Sequence, residues 1–283
     1  MKILILGSTG VLGNSLSLFL KKKKIFKTYY ITRRKNKSSN FFLKDFTNFK
    51  KLEKTISKIQ PNYIVNCLGV TKFHDDYKKT KITKILNTKL PIYLSKLCLK
   101  KKIYFIHIST DCVFLGTKGN YLDNSNKDSK DLYGLSKNLG EVKNKYTVTL
   151  RTSFIGPEQK TSKSLLNWFL SQTREVKGFT KAYFSGLTSL ELSKIIFRYF
   201  IINTKNYGLI LNVGGFKISK YNLLKIIAIV FNKKTKLKKY ANFNIDRSLN
   251  SSKFRKLTKY KNQKWYTLIK NLKSFMDKNK FKY

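Results

Sequence analysis

The apolar and polar positions of the chain alternate between short apolar runs and stretches with helical periodicity. Buried strands are predicted for the apolar or β-branched runs at residues 3–6, 29–32, 63–67, 104–109 and 148–151. Helices are predicted where apolar residues recur with helical spacing, at residues 12–20, 49–59, 82–99 and around 133–137. Because parallel strands need helical crossovers, this alternation predicts an α/β fold of Rossmann type, a doubly wound parallel sheet.

The pattern changes beyond about residue 156. Amphipathic or apolar helices are predicted at 164–171, 221–231 and 265–276, with short elements up to about residue 213. We therefore expect a larger N-terminal domain at residues 1–155 and a smaller, mainly C-terminal lobe at residues 156–283, and we allow for strands of the lobe that return to the main sheet. No Gly/Ser-rich linker separates the two parts, so the lobe should pack directly on the domain and enclose a cleft.

The chain is strongly basic, with a formal net charge of +46 over 283 residues. Such a charge is typical of proteins that bind polyanions. However, 53 of the 60 basic residues are lysine, and they are dispersed over the whole length. Specific phosphate recognition favours clustered arginine, so we favour a compositional bias and expect no specific nucleic-acid partner. A polyanion partner remains the alternative.

Three cysteines bear on the compartment and on metal binding. Cys67, Cys98 and Cys112 form no CxxC pair and have no metal-type spacing with a histidine, so no metal site is predicted. The chain enters its first predicted strand at Lys2, and no apolar run approaches the length that spans a membrane. We expect a cytoplasmic protein with no membrane insertion.

A glycine-rich turn lies between the first predicted strand and the first predicted helix. At that position Gly7 permits a tight turn, Gly10 lets a pyrophosphate approach the backbone N–H groups, and Gly13 lets the helix pack on the strand. The residues that we expect to contact the cofactor here are Gly7, Thr9, Gly10, Val11, Leu12 and Gly13. The spacing is GxxGxxG, and it makes residues 1–155 a dinucleotide-binding domain.

The second predicted strand is followed by basic residues where an acidic one would bind the ribose of NAD. Arg33 and Arg34 suit the 2′-phosphate of NADP, so we expect NADPH, with NADH as the alternative. Further along, Asp45 and Phe46 are candidates to pair the adenine amino group and cover the ring. An ordinary turn is nearly as good an interpretation of Asp45.

Two further strand ends should lie at the carboxyl edge of the sheet, where open α/β sheets bind ligands. Asn66, Leu68 and Gly69 close one of these strands, and we expect them to contact the nicotinamide ribose. Ser109 and Thr110 close the next one, where a hydroxyl can donate to a substrate carbonyl oxygen.

Tyr133 and Lys137 complete the predicted site. Residues four apart on a helix share one face, so we expect the ammonium of Lys137 beside the phenol of Tyr133. An isolated phenol has a pKa of about 10, and a neighbouring positive charge lowers it. Together with the glycine turn, this pair predicts a nicotinamide-dependent reductase.

These motifs resemble those of the extended short-chain dehydrogenase/reductases, and within them the dTDP-4-dehydrorhamnose reductase-like group of surface-polysaccharide biosynthesis. The similar stretches are Gly7 to Gly13, Ser109-Thr-Asp-Cys-Val-Phe-Leu-Gly116, Leu132-Tyr-Gly-Leu-Ser-Lys137 with Gly140-Glu141, and Leu150-Arg-Thr-Ser153. Less specific similarity continues through the second lobe, as in Asp246-Arg-Ser-Leu-Asn-Ser251. One departure is Cys112, where the group often has Tyr, and it suggests a subgroup that acts on a different sugar.

The resemblance implies a catalytic triad of Thr110, Tyr133 and Lys137. In such an enzyme NADPH reduces the C4 keto group of a nucleotide-linked 6-deoxy sugar, Tyr133 protonates the alkoxide, and Lys137 holds the nicotinamide ribose. Thr110 would bond the carbonyl oxygen, with Ser109 as second choice. Arg247 would clamp the substrate diphosphate unless it is a plain surface arginine.

Other functions of the same fold stay open at this point. An epimerase or dehydratase would keep NAD bound, and a regulatory subunit would hold NAD(P) without turnover. A nucleotide sugar is the expected partner of the reductase, and the epimerase or dehydratase would act on one as well. The sequence leaves a homodimer open.

Overall fold

The computed structural model describes residues 1–23, 25–32, 41–42, 45–72, 79–159 and 163–281. Its strands are β1 (Lys2–Leu6), β2 (Lys27–Thr32), β3 (Phe41–Phe42), β4 (Tyr63–Asn66), β5 (Tyr104–Thr110), β6 (Thr147–Thr152), β7 (Phe154–Ile155), β8 (Val176–Phe184), β9 (Leu187–Thr188), β10 (Ile210–Asn212), β11 (Ile218–Ser219) and β12 (Leu237–Asp246). Its α-helices are α1 (Val11–Lys21), α2 (Phe49–Ile59), α3 (Thr80–Lys84), α4 (Leu90–Lys101), α5 (Leu132–Leu139), α6 (Leu165–Ser171), α7 (Ser189–Ile196), α8 (Lys220–Val230), α9 (Ser252–Thr258) and α10 (Trp265–Lys278).

Seven strands form the main sheet, in the order β3-β2-β1-β4-β5-β6-β10. All of the neighbouring strands pair in parallel. The chain builds the sheet outward from β1 in one direction and then returns to add β4 on the other side. The predicted doubly wound, Rossmann-type fold is therefore confirmed, and its topological switch point lies between β1 and β4.

Both faces of this sheet are covered, which explains why its strands are continuous apolar runs. Ile3 and Ile5 point into a core shared with α1, α7 and α10. Leu4 and Leu6 point to the other side, into a core shared with α2 and α4. The alternation of side chains along β1 thus joins two separate hydrophobic layers.

The predicted helix at residues 82–99 is a continuous helical segment with a wide turn in its middle. We expected Pro91 to kink this helix or to start a new one, because proline cannot donate a backbone hydrogen bond. In the structure a π-helical turn, Ile85–Lys89, follows α3, and Pro91 lies in the first turn of α4. There its missing N–H costs little, because the π-helical turn directly before it already interrupts the regular i→i−4 pairing.

A second sheet of three strands, in the order β11-β8-β12, is formed by residues that follow β6 in the chain. Helix α8 packs on β8 beside Gly178, where a Cβ atom would come 2.7 Å from the ring of Tyr221. Strand β10, in contrast, joins the edge of the main sheet next to β6. The division into two domains near residue 155 stays a prediction.

Among the described residues, no helix combines the length and the apolar character that a bilayer crossing requires.

Candidate active site

The glycine turn lies at the switch point of the main sheet. Gly7 has a φ of +80°, a conformation that side chains disfavour, and a Cβ atom there would come 3.1 Å from the backbone of Cys67. A Cβ atom on Gly13 would overlap the carbonyl oxygen of Gly7. At Gly10 the nearest atom to a Cβ would be 3.5 Å away. The protein itself therefore requires Gly7 and Gly13, whereas Gly10 faces open space.

The N-terminus of α1 opens toward the same space. Thr9 and Gly10 are exposed, and no side chain caps the first turn of the helix. Uncapped N–H groups and the helix dipole favour an anionic group, so this turn fits a pyrophosphate. Val11 is half-buried, whereas the Leu12 side chain lies in the core and leaves only its backbone for such a contact.

The structure gives less support for the residues that we expected to contact the adenine half of the cofactor. Arg33 and Arg34 lie outside the described residues. The Asp45 carboxylate accepts hydrogen bonds from the backbone and hydroxyl of Thr47, and these lower the pKa of Asp45, as in an ordinary turn. Phe46 is only 3% exposed and packs among the residues of the second core. Its ring packs against protein side chains, and its role in covering adenine stays a prediction.

The end of β4 lies beside the glycine turn. The Asn66 side chain is fully buried: its amide nitrogen lies 3.2 Å from Nδ1 of His107, and its amide oxygen accepts from the Leu68 N–H at 3.2 Å. Asn66 thus fixes the turn rather than presenting its side chain to a ligand. Leu68 is half-buried and Gly69 is exposed, so the segment after Asn66 is the accessible part.

The end of β5 carries Thr110 and Asp111, both buried. The Thr110 hydroxyl donates to the Asp111 carboxylate at 3.2 Å and also accepts from the Cys112 N–H at 3.1 Å. Burial raises the pKa of Asp111. Ser109 is different, since its hydroxyl donates to Glu141 at 2.8 Å. The Ser109 hydroxyl is thus directed to Glu141, whereas Thr110 lies beside Tyr133, the predicted acid.

Helix α5 begins beside this strand end and carries Tyr133 in its first turn. Asp131 caps the helix by accepting from the Gly134 N–H at 3.0 Å, and Lys72 donates to the other oxygen of Asp131 at 2.8 Å. A Cβ atom at Gly134 would overlap the Cys112 carbonyl oxygen, so the glycine brings the helix close to the end of β5. This close approach places Tyr133 within hydrogen-bonding reach of Thr110.

The electrostatics of Tyr133 differ from our prediction. We expected a lowered pKa, but burial raises the pKa of this phenol, and the Cys112 thiol adds to the effect. The hydrogen bond with Thr110 acts in the opposite direction and only partly offsets burial. The half-buried phenol therefore stays protonated at neutral pH, the form that a proton donor needs.

Lys137 also departs from the predicted arrangement. Its ammonium group donates to the main-chain oxygen of Ile108 at 2.6 Å, and the residue is 3% exposed. Burial lowers the pKa of Lys137 to about 8, although the negative charge of Glu141 raises it. The strongest influences on the pKa of Tyr133 do not include Lys137. The expected lowering of the Tyr133 pKa by Lys137 is therefore not among the main effects on this phenol.

Behind Lys137 lies a buried ion pair that sequence reasoning did not single out. Arg151 donates from Nε to one oxygen of Glu141 at 2.7 Å and from a terminal nitrogen to the other at 2.8 Å. Its remaining terminal nitrogen donates to the Asp123 carbonyl at 2.7 Å. Both side chains of the pair are at most 3% exposed. The sequence contained a signal for this ion pair, because Glu141 comes directly after the helix of Tyr133 and Lys137, and Arg151 lies on the strand that follows.

The second lobe brings two cations to the same end of the sheet. Arg247 donates from Nε to the Phe114 carbonyl at 3.0 Å, and a terminal nitrogen lies 3.6 Å from the Cys112 sulfur. Lys220, the first residue of α8, interacts electrostatically with Asp111, Cys112 and Arg247. Sequence reasoning missed Lys220, because nothing near it in the chain resembles a motif.

The structure thus gathers a glycine turn, an uncapped helix end and a Thr110–Tyr133 pair at the carboxyl edge of one parallel sheet. Lys137 lies one helical turn beyond Tyr133. Among the described residues, no group of three or more histidine, cysteine or acidic side chains is arranged to hold a metal ion. This fold and site define an NAD(P)-dependent oxidoreductase of the short-chain dehydrogenase/reductase type.

Comparisons with known proteins narrow the class to a family. The model of the RmlD substrate binding domain family matches residues 1–177, and the chain belongs to this family. A curated relative is the dTDP-4-dehydrorhamnose reductase of Aggregatibacter actinomycetemcomitans, 25% identical over 233 residues, which cover 78% of this chain and 76% of that protein.

Two solved structures are similar over nearly their whole length. The hypothetical dTDP-4-dehydrorhamnose reductase from Sulfolobus tokodaii is 27% identical, with a TM-score of 0.79 over 94% of this chain and 98% of that one. The dTDP-4-dehydrorhamnose reductase from Bacillus anthracis, solved in complex with NADP, is 20% identical, with a TM-score of 0.81 over 97% of this chain and 99% of that one.

Proposed function

We propose that this protein catalyses the NADPH-dependent reduction of the C4 keto group of a nucleotide-linked 6-deoxy sugar in the cytoplasm. The observation that carries the proposal is the placement of Tyr133 beside Thr110 at the carboxyl edge of the sheet, where Gly134 lets the helix approach the end of β5, next to the glycine turn. Family membership and the reductases among its relatives support the same reaction.

The cofactor fits the glycine turn and the uncapped end of α1. The N–H groups at that end would hold the pyrophosphate, and Gly10 leaves room for it to approach. NADPH supplies a hydride for the keto carbon when it is bound. The NADP complex of the Bacillus anthracis structure supports NADPH over NADH.

Tyr133 acts as the proton donor to the oxygen that becomes an alcohol. Its raised pKa keeps the proton on the phenol until negative charge develops on the substrate oxygen. Thr110 would orient that oxygen, because its hydroxyl lies at the end of β5 and close enough to Tyr133 to influence the pKa of the phenol. The two hydroxyls together define where the carbonyl oxygen must lie.

Lys137 acts from beneath the site. Its ammonium has donors besides the one bound to Ile108, and these would hold the ribose hydroxyls of the cofactor. Glu141 and Arg151 form an ion pair next to Lys137 and hold its surroundings in place. Asn66 contributes by holding the backbone after β4 in place, so that Leu68 and Gly69 face the same space.

The test is the oxidation of NADPH, followed at 340 nm, against a panel of dTDP-, UDP- and GDP-linked 4-keto-6-deoxy sugars. A reductase consumes NADPH in proportion to the sugar supplied. An epimerase would convert sugar without consuming NADPH, and a regulatory subunit would bind the cofactor without any conversion. Either of these results would overturn the proposal.

A further inference from the structure

The side chain of Lys220 stands apart from the other lysines of the chain. It is half-buried, although lysine side chains usually extend into water. Its ammonium nitrogen lies 3.9 Å from the centre of the Phe184 ring, on the face of the ring. Within the described ranges, no oxygen accepts a hydrogen bond from this ammonium. A charge that is partly removed from water and lacks an acceptor is costly, so its retention needs a reason.

The neighbours of Lys220 are those of the proposed reaction centre. Ser219, the residue before Lys220, pairs with Tyr183 on β8, and the Tyr183 oxygen accepts from the N–H of Arg247, whose side chain reaches Cys112. The charge of Lys220 acts on Asp111 and Cys112, the two residues that follow Thr110. The Thr110 hydroxyl donates to Asp111, and Thr110 also influences the pKa of the proposed proton donor Tyr133. The ammonium thus belongs to the group of side chains around the oxygen that is to be protonated.

The charges around it do not cancel. Lys220 and Arg247 both act on the single carboxylate of Asp111, so this group carries one more positive than negative charge when Asp111 is ionised. Nearby Lys217 differs, because it forms an ion pair with Asp246. Arg247 already donates to Phe114 and lies against Cys112. Lys220 is therefore the donor of this group that still has its hydrogen-bonding capacity free.

From this arrangement, and resting on the function proposed above, we infer that Lys220 binds the sugar ring of the substrate. It donates a hydrogen bond to an oxygen substituent, a hydroxyl or an amide carbonyl, on a carbon next to the keto carbon. The diphosphate is attached at C1, across the ring from C4, whereas Lys220 acts on the residues beside Thr110. Lys220 would accordingly help to select the sugar rather than the nucleotide.

Equilibrium binding separates these roles. The probes are dTDP-rhamnose and dTDP, titrated by calorimetry into the NADP⁺-saturated wild-type protein and into Lys220→Met. We expect Lys220→Met to weaken binding of dTDP-rhamnose about tenfold or more, the usual effect of losing a charged hydrogen bond, and to leave the affinity for dTDP within about twofold. Lys220→Arg should recover part of the loss. Lys225→Met, which removes an exposed lysine from the same helix, is the matched control.

The variant should fold, since methionine keeps most of the volume and removes an ammonium without an acceptor; an unchanged affinity for NADP⁺ checks this. An equal loss for dTDP and dTDP-rhamnose would place Lys220 on the diphosphate and overturn the inference. An unchanged affinity for dTDP-rhamnose, or a wild-type protein that binds both probes equally, would also overturn it. Because these are binding constants, a failure to oxidise NADPH would count against the proposed reaction and not against this role.

Discussion

The ammonium of Lys137 donates to the main-chain oxygen of Ile108, 2.6 Å away, and so ties helix α5 to the middle of strand β5. This contact holds the ammonium of the predicted catalytic lysine at the main chain of β5, one helical turn along α5 from Tyr133. It also buries a charge, and the pKa of Lys137 falls to about 8 because burial disfavours the ammonium. Two predictions follow from this one relationship, the first for activity and the second for stability.

The activity should decline on the alkaline side at an unusually low pH for a lysine. Only the protonated form of Lys137 has three N–H donors, enough for Ile108 and for two ribose hydroxyls, and only this form carries a positive charge. We therefore expect kcat/KM, which reports the free enzyme, to fall as the pH rises through about 8, the pKa of Lys137. Initial rates between about pH 6 and pH 10 provide the measurement. A profile that stays flat up to pH 10 would contradict the burial of a charged Lys137.

Replacing Lys137 by methionine should stabilise the fold while it removes activity. The folded-state pKa of about 8 lies below the ordinary 10.5, so the unfolded chain holds this proton more tightly. Folding therefore carries a penalty of about 3 kcal/mol below pH 8, which fades as the pH rises toward 10.5. The variant avoids this penalty but leaves the Ile108 oxygen unpaired, at a cost of about 1 kcal/mol.

We accordingly expect Lys137→Met to raise the free energy of unfolding by about 2 kcal/mol at pH 7, with a smaller gain at pH 10. Urea unfolding at the two pH values measures this difference. Lys225→Met, an exposed change, should have little effect at either pH. If Lys137→Met were less stable than the wild-type protein at pH 7, burial of the Lys137 ammonium would not lower the free energy of unfolding.

The glycine turn offers a pair of variants that separates folding from cofactor binding. At Gly13 a methyl group would overlap the Gly7 carbonyl oxygen, so Gly13→Ala should lose about 1–3 kcal/mol of stability. Gly10 has a φ of −78° and open space at its Cβ position, so Gly10→Ala should fold normally. Its methyl group would instead stand in the path of the pyrophosphate.

Thermal unfolding and NADP⁺ titration of both variants measure the two effects. We expect Gly10→Ala to keep the wild-type melting temperature and to weaken NADP⁺ binding about tenfold or more. If Gly10→Ala bound NADP⁺ as the wild-type protein does, the cofactor would not lie over this turn.

We expect the loss of one charge of the buried Glu141–Arg151 ion pair to destabilise the fold more than the loss of both charges. Glu141→Gln leaves the Arg151 guanidinium buried without its opposite charge, and we expect a loss of about 3–5 kcal/mol. Glu141→Gln combined with Arg151→Leu removes both charges and should lose less than the single variant. Chemical unfolding of the two proteins makes the comparison. A double variant that is less stable than Glu141→Gln would show that Arg151 stabilises the fold through its other contacts.

The sequence pattern predicted most of the strands of the main sheet but fewer of the strands of the second lobe. Strands such as β1 and β4 are buried on both faces, so their apolar runs were unambiguous. Strands β8 and β12 were missed. Exposed Lys177 and Phe179 alternate in β8 with the small buried Gly178, and β12 is largely exposed, so neither shows a clear apolar face.

In the site, features that depend on residues close together in the chain were predicted, whereas contacts between distant residues were not. The glycine turn and the position of Tyr133 followed from local spacing. The Ile108 contact of Lys137, in contrast, depends on how α5 packs on β5, and the approach of Lys220 to Asp111 joins residues far apart in the chain. The burial of Phe46 in the second core likewise depends on packing that spacing alone does not reveal.

The most direct measurement of the central claim is the turnover of Tyr133→Phe, which removes only the hydroxyl that donates the proton. NADPH oxidation is measured with the sugar nucleotide that the wild-type protein reduces fastest, and NADP⁺ affinity is measured in parallel. We expect the rate to fall by about a thousandfold, in line with the loss of a general acid, while NADP⁺ binding changes little. A Tyr133→Phe protein that retained the wild-type rate would contradict the assignment of Tyr133 as the proton donor.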